Sequence, residues 1–87
     1  MLSTLEELQQ RLAALEPTVL EIKDDSALHA GHAGNTGGGH YSLTIVSSHF
    51  YGKSHIIRHR MVYQALADLM TSKIHALSIR AKSPNEL

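Results

Sequence analysis

The sequence predicts an α+β fold of order α-β-β-α-β. Two stretches repeat apolar residues at helical intervals, three short stretches alternate at the strand period, and a glycine-rich segment separates the first two of those strands. A hairpin followed by a strand–helix–strand crossover sets the third strand parallel to the second, because such crossovers are right-handed. The expected architecture is therefore a three-stranded mixed sheet with helices mainly on one face. At 87 residues the chain reads as one domain, residues 1–87, with an economical core.

The elements follow in order. Ser3 and Glu6 have the S-x-x-E spacing of a capping box, and Leu5, Leu8, Leu12 and Leu15 then recur at helical intervals, with Pro17 after the end. Val19 to Asp24 mixes branched apolar residues with Glu21 and Lys23, a strand pattern. Residues 25–39 are expected to form a long flexible loop rich in histidine and glycine, since five of the six glycines (Gly31, Gly34, Gly37, Gly38, Gly39) fall there. His40 to Ser48 alternates around Tyr41, Leu43 and Ile45 as the second strand, and Ser54 to Met70 carries Ile57, Met61, Val62, Ala65, Leu66 and Leu69 in helical rows. Ile74 to Ala81 is the third strand, with His75, Leu77 and Ile79 expected on one face and Ala76, Ser78 and Arg80 on the other. Ser83, Pro84 and Glu86 start another helical turn that residues 83–87 are expected to leave frayed.

Composition excludes several classes of function. Eight basic and eight acidic residues balance, which disfavours a generic polyanion binder. With no cysteine the chain can form no disulfide, thiol nucleophile or all-cysteine metal site. No long apolar run or signal-like start appears, so the expectation is a cytoplasmic protein with no membrane partner. No G-x-S-x-G turn or helical H-E-x-x-H occurs, and an enzyme is the least favoured class.

The charge is unevenly spread. Residues 1–25 hold six acids against two bases; residues 26–67 hold three bases, Lys53, Arg58 and Arg60, with no acid and six of the seven histidines. Lys53, Arg58 and Arg60, with His55 and His59, form a candidate basic face on the second helix, and its bland alternatives are a solvated surface or anchoring of a C-terminal segment. His29 and His32 have H-x-x-H spacing in the loop, too little for a self-contained zinc site. Spacing alone favours reading His75 as a half-buried histidine bonded to a carbonyl. Gly34 to Gly37, GNTG, matches the G-x-x-G of nucleic-acid-clamping KH domains but lies between strands, whereas the KH loop joins helices.

Phe50 to Leu66, FYGKSHIIRHRMVYQAL, and Ile74 to Leu87, IHALSIRAKSPNEL, closely resemble the signatures of BolA-like proteins, and DDSALH resembles that family's segment before its variable loop. The resemblance covers nearly the whole chain. It implies a fold related to type II KH domains without a working G-x-x-G clamp. It also implies a non-enzymatic iron–sulfur adaptor or regulator that pairs with a monothiol glutaredoxin and shares a bridging [2Fe–2S] cluster, in cluster trafficking or iron and redox sensing. In that heterodimer the glutaredoxin and glutathione supply thiolates, and the BolA-like chain supplies the histidine of its H-A-L motif, His75, and a loop histidine, His29 ahead of His32. No cofactor is expected in the isolated chain, for which a homodimer stays open. The family's competing role is DNA binding and transcription regulation of stress, morphology or envelope genes, with Lys53, His55, Arg58, His59 and Arg60 approaching phosphates.

Overall fold

The computed structural model describes residues 2–26 and 39–87. Helix α1 (Thr4–Leu12) begins with the expected capping box: the Glu6 N–H donates to Ser3 Oγ at 3.1 Å and the Ser3 N–H to Glu6 Oε1 at 3.1 Å. The Ser3 N–H and hydroxyl hold the Glu6 carboxyl below its ordinary range. A 3₁₀ turn, Ala13–Leu15, extends the helix to Glu16, whose left-handed backbone (φ 51°) turns the chain before Pro17. Leu8, Leu12 and Leu15 are buried, while Leu5 faces outward.

Strand β1 (Val19–Asp24) pairs antiparallel with β2 (Gly39–Val46), from Val19 opposite Val46 to Asp24 opposite Tyr41. The loop expected over residues 25–39 lies outside the described residues except at its ends. A 3₁₀ turn, Ser48–Phe50, leads to helix α2 (His55–Leu66), a one-turn helix α3 (Leu69–Ser72), and strand β3 (Ile74–Lys82), which runs parallel to β2. The sheet order is β1-β2-β3, as the crossover rule requires. Tyr41, Leu43 and Ile45 of β2 join Leu8 and Leu12 of α1, Val62 and Leu66 of α2, and Phe50 in one core.

Two turns hold the crossover. Gly52 takes φ 71°, a left-handed value that glycine adopts freely. Ser47 is fully buried; its hydroxyl donates to the Leu15 carbonyl and accepts the His49 N–H at 3.0 Å.

The single helix expected from Ser54 to Met70 is broken. Ala67 has φ 49° and ψ −124°, and its N–H closes onto the Tyr63 carbonyl at 2.9 Å, so α2 ends at Leu66 and α3 starts afresh. Arg11 of α1 reaches across to this end, donating from Nη1 to the Leu66 carbonyl at 3.2 Å and to Asp68 Oδ1 at 3.1 Å, and this lowers the Asp68 pKa. Lys73 Nζ lies 3.1 Å from Glu7 Oε2 and ties α1 to the start of β3.

The helical turn that Ser83, Pro84 and Glu86 start is a capped 3₁₀ turn, Pro84–Glu86, with the Ser83 N–H donating to Glu86 Oε1 at 2.7 Å. An L-residue at the Ala67 backbone conformation is strained, whereas glycine is not. Ala67→Gly should therefore raise the unfolding free energy by about 1 kcal/mol, measured by urea denaturation, and a loss of stability would show that Ala67 contributes through its methyl group instead.

Candidate functional site

Strand β3 does not pair evenly with β2 at its start. Gly39 lies opposite Ile74 and His40 opposite Ala76, which leaves His75 as the extra residue of a β-bulge. Alternation alone would place His75 in the row of Leu77 and Ile79, both half-buried against the core. The bulge removes it from that row, and His75 is exposed. Its imidazole centroid lies 5.0 Å from that of His40, with the ring planes tilted by 37°. Exposure thus replaces the half-buried histidine that spacing favoured.

Glycine 39 is required beside the bulge. A Cβ there would come within 2.7 Å of Tyr41 Cζ and Oη, in a ring that is itself buried.

The same end of the sheet holds both ends of the loop. The Asp25 N–H donates to the His40 carbonyl at 2.7 Å, and the His40 N–H donates to Ser26 Oγ at 3.1 Å. The Ser42 hydroxyl donates to Asp25 Oδ2. The hydroxyl and N–H of Ser26 hold the Asp24 carboxyl below its usual range. Chain leaving β1 and chain entering β2 are thereby clamped next to His75. His29 and His32 belong to the segment between these anchors and lie outside the described residues.

His40 was not singled out by sequence, although a signal existed. Parallel strands starting at His40 and Ile74 bring their first residues side by side.

The basic helix face separates into two groups. Lys53, His55 and Arg60 are exposed and His59 is half-buried. Arg58, by contrast, is buried, with its side chain only 6% exposed. It donates from Nε to the Lys53 carbonyl at 2.9 Å and from Nη1 to the Ala81 carbonyl at 3.1 Å and to Glu86 Oε1 at 2.6 Å, and its guanidinium carbon stands 6.0 Å from the Phe50 ring centroid. Arg58 therefore anchors the C-terminal segment and leaves the solvent-facing set. The rest of the exposed face of α2 is not uniformly basic: Ile56 is 71% exposed, with Tyr63 exposed two turns further along.

The sequence profile of the family described as BolA-like protein matches residues 12–86. The chain belongs to the BolA-like family. The BolA-like chain is 48% identical over 79 residues to SufE-like protein 1, chloroplastic/mitochondrial, of Arabidopsis thaliana, covering 84% of this chain and 21% of that protein. The solved BolA domain of SufE1 from that plant superposes with a TM-score of 0.85 at 44% identity, covering 100% of this chain and 99% of the domain. BolA-like protein 1 of Mus musculus is 44% identical over 71 residues, with 82% of this chain and 50% of that protein covered. DNA-binding transcriptional regulator BolA of Escherichia coli is 34% identical over 82 residues, covering 93% and 76% respectively. The BolA-like chain thus spans half the length of its mouse relative and about a fifth of SufE-like protein 1. The mouse and bacterial names are those of a BolA-like protein and a regulator, not of enzymes. No helix among the described residues is long and apolar enough to cross a membrane. The expected cytoplasmic location does not follow from the family, since the plant relative is named for chloroplast and mitochondrion.

The Arg58 anchor gives a test of stability. Arg58→Ala orphans the Ala81 and Lys53 carbonyls and should cost about 2–3 kcal/mol in urea unfolding. Arg58 first, and then the Ser83 N–H and hydroxyl, lower the Glu86 carboxyl from 4.5 to about 2. Its contribution is thus full above about pH 4.5 and is lost as pH falls toward 2. Glu86→Gln should remove that part of the acid sensitivity, seen as a flatter stability profile between pH 5 and 2; an unchanged profile would mean that the pair contributes nothing.

Proposed function

We propose that this chain is a non-enzymatic adaptor that pairs with a monothiol glutaredoxin and co-ligates a [2Fe–2S] cluster through His75 and a loop histidine, His29 ahead of His32. The observation that supports the reading is the bulge: it puts an exposed imidazole at the sheet end where the loop is clamped. A chain without cysteine has only imidazoles to offer iron, while the partner's cysteine and glutathione would supply the thiolates. When bound, such a cluster supplies one-electron chemistry at a potential raised by imidazole ligation. The chain's own part is to hold His75 in place through the β2–β3 pairing and to bring the loop to it through the Asp25 and Ser26 contacts.

The name of the bacterial relative favours a second reading, DNA binding by α2. With Arg58 committed inward, Lys53 and Arg60 remain as fixed cations, assisted by His55 and His59. That number sets a salt slope no steeper than about −2 in log–log form.

Anaerobic reconstitution with iron, sulfide, glutathione and a monothiol glutaredoxin separates the readings. The adaptor should give a coloured one-to-one complex whose absorption and circular dichroism change in His75→Ala and in one of His29→Ala and His32→Ala. Absence of a complex, or the glutaredoxin's own homodimer spectrum with every variant, overturns it. Specific DNA retention by the chain alone, weakened in Lys53→Ala and Arg60→Ala, would then establish the regulator reading.

A further inference from the structure

The face of the sheet turned away from the helices is polar. Tyr41, Leu43 and Ile45 of β2 point into the core, so Ser42 and Thr44 project from the opposite side. The register extends this face in both directions: Lys23 of β1 and Ser78 of β3 lie beside Ser42, and Arg80 of β3 lies beside Thr44. These five residues line a cavity of about 350 Å³ whose lining contains two cations and, among the described residues, no acid.

Lys23 and Arg80 are both exposed and, among the described residues, neither forms an ion pair, whereas Arg11, Arg58 and Lys73 each have a carboxylate. Of the acids nearby, Asp25 accepts the Ser42 hydroxyl, and Glu21 stands beside Thr44 on β1 but outside the lining. We propose that this cavity binds the phosphate monoester of a small polyol, represented by ribose 5-phosphate. The two cations stand two strands apart, about 10 Å at the usual spacing, and their long side chains reach inward from either side of β2. Arg80 can give a phosphate two parallel N–H donors, Lys23 an ammonium, and Thr44 and Ser78 a hydroxyl each. A tetrahedral dianion with three terminal oxygens uses that donor set more fully than a carboxylate does. Ser42 has given its proton to Asp25, so its oxygen remains as an acceptor for a ligand hydroxyl. The cavity is larger than a bare phosphate needs and has room for a short hydroxylated chain or ring. No aromatic side chain among the described residues lines it, so a nucleobase finds no stacking partner there. Two cations are also too few to hold a long polyanion against salt.

Titration of the isolated chain with ribose 5-phosphate in a phosphate-free buffer, followed by calorimetry and by ¹⁵N amide spectra, tests the site. The expected result is saturable one-to-one binding, with amide shifts centred on Lys23, residues 42–44 and residues 78–80. Affinity should fall about tenfold in Arg80→Gln and about fivefold in Lys23→Gln, and should rise about twofold in Glu21→Gln, which removes a like charge from the same face. The double variant Lys53→Gln/Arg60→Gln, which removes two exposed cations elsewhere, should bind as the wild type does. All these positions are exposed, and far-UV circular dichroism checks that each variant folds. Absence of saturable binding, wild-type affinity in Arg80→Gln, or shifts confined to other residues overturns the site. Equal affinity for inorganic phosphate or for ribose overturns the assignment of a phosphate ester, and tighter binding of oligothymidylate through Lys23 and Arg80 overturns that of a small ligand. None of these residues ligates the cluster on the adaptor reading, so failure here leaves that reading standing, and failure of the reconstitution leaves this site standing.

Discussion

Strand β2 is hydrogen-bonded on both edges, antiparallel to β1 and parallel to β3, and the other elements take their places from that central position. One face of β2 presents Tyr41, Leu43 and Ile45, which the helices must cover to remove them from water. The parallel pairing with β3 requires a crossover, and α2 supplies it by lying over those same residues. The pairing also fixes which groups meet at the ends of the sheet. At the start of β2 and β3 these are His40 and His75; at the finish they are the Ser47 N–H and the Lys82 carbonyl, 3.0 Å apart.

Arg58 shows why a run of basic residues is not a basic surface. A guanidinium has five donors in a fixed fork, and here three separate acceptors from the turn before α2, the end of β3 and the last turn surround it. A buried cation of this kind is tolerable only when so compensated, and once compensated it is unavailable to a phosphate. The exposed surface is left with Arg60 on α2 and Lys53 just before it as permanent cations, interspersed with Ile56 and Tyr63. Such a mixture of isolated charge and apolar surface is not the continuous positive field that a polyanion attracts.

The legible parts of the fold were those written in local chemistry. The Ser3 and Glu6 box, the strand alternation and the crossover rule gave the element order and the strand directions, because each depends on residues close in sequence or on chain handedness. The end of α2 was hidden because Ala67, not glycine or proline, occupies the positive-φ position, and the donor that satisfies the Leu66 carbonyl is Arg11, 55 residues away. Anchoring of a C-terminal segment by Arg58 stood among the alternatives in the sequence, but nothing local could select it, since its acceptors Ala81 and Glu86 are neighbours only after folding. The exposure of His75 was masked by its regular alternating context, which gives no sign that the ladder slips by one residue between Gly39 and His40. His40 was recoverable, because two parallel strands with known starting residues define their own neighbours.

The two functional readings occupy opposite ends of the molecule. Helix α2 begins after the finish of β2 and returns toward the start of β3, so Lys53 and His55 lie at the end of the sheet that Arg58 and Glu86 lock. His40, His75 and the loop anchors lie at the other end, separated by a strand of eight residues, roughly 26 Å at the usual rise. On the adaptor reading, a cluster at His75 would have no direct contact through which to screen or block the first turn of α2. Any coupling between them within the chain has to pass through the β2–β3 ladder. Since the ladder is hydrogen-bonded along its length and backed by the core, it is a stiff link, and a change at one end of the sheet reaches the other only by shifting β2 and β3 together.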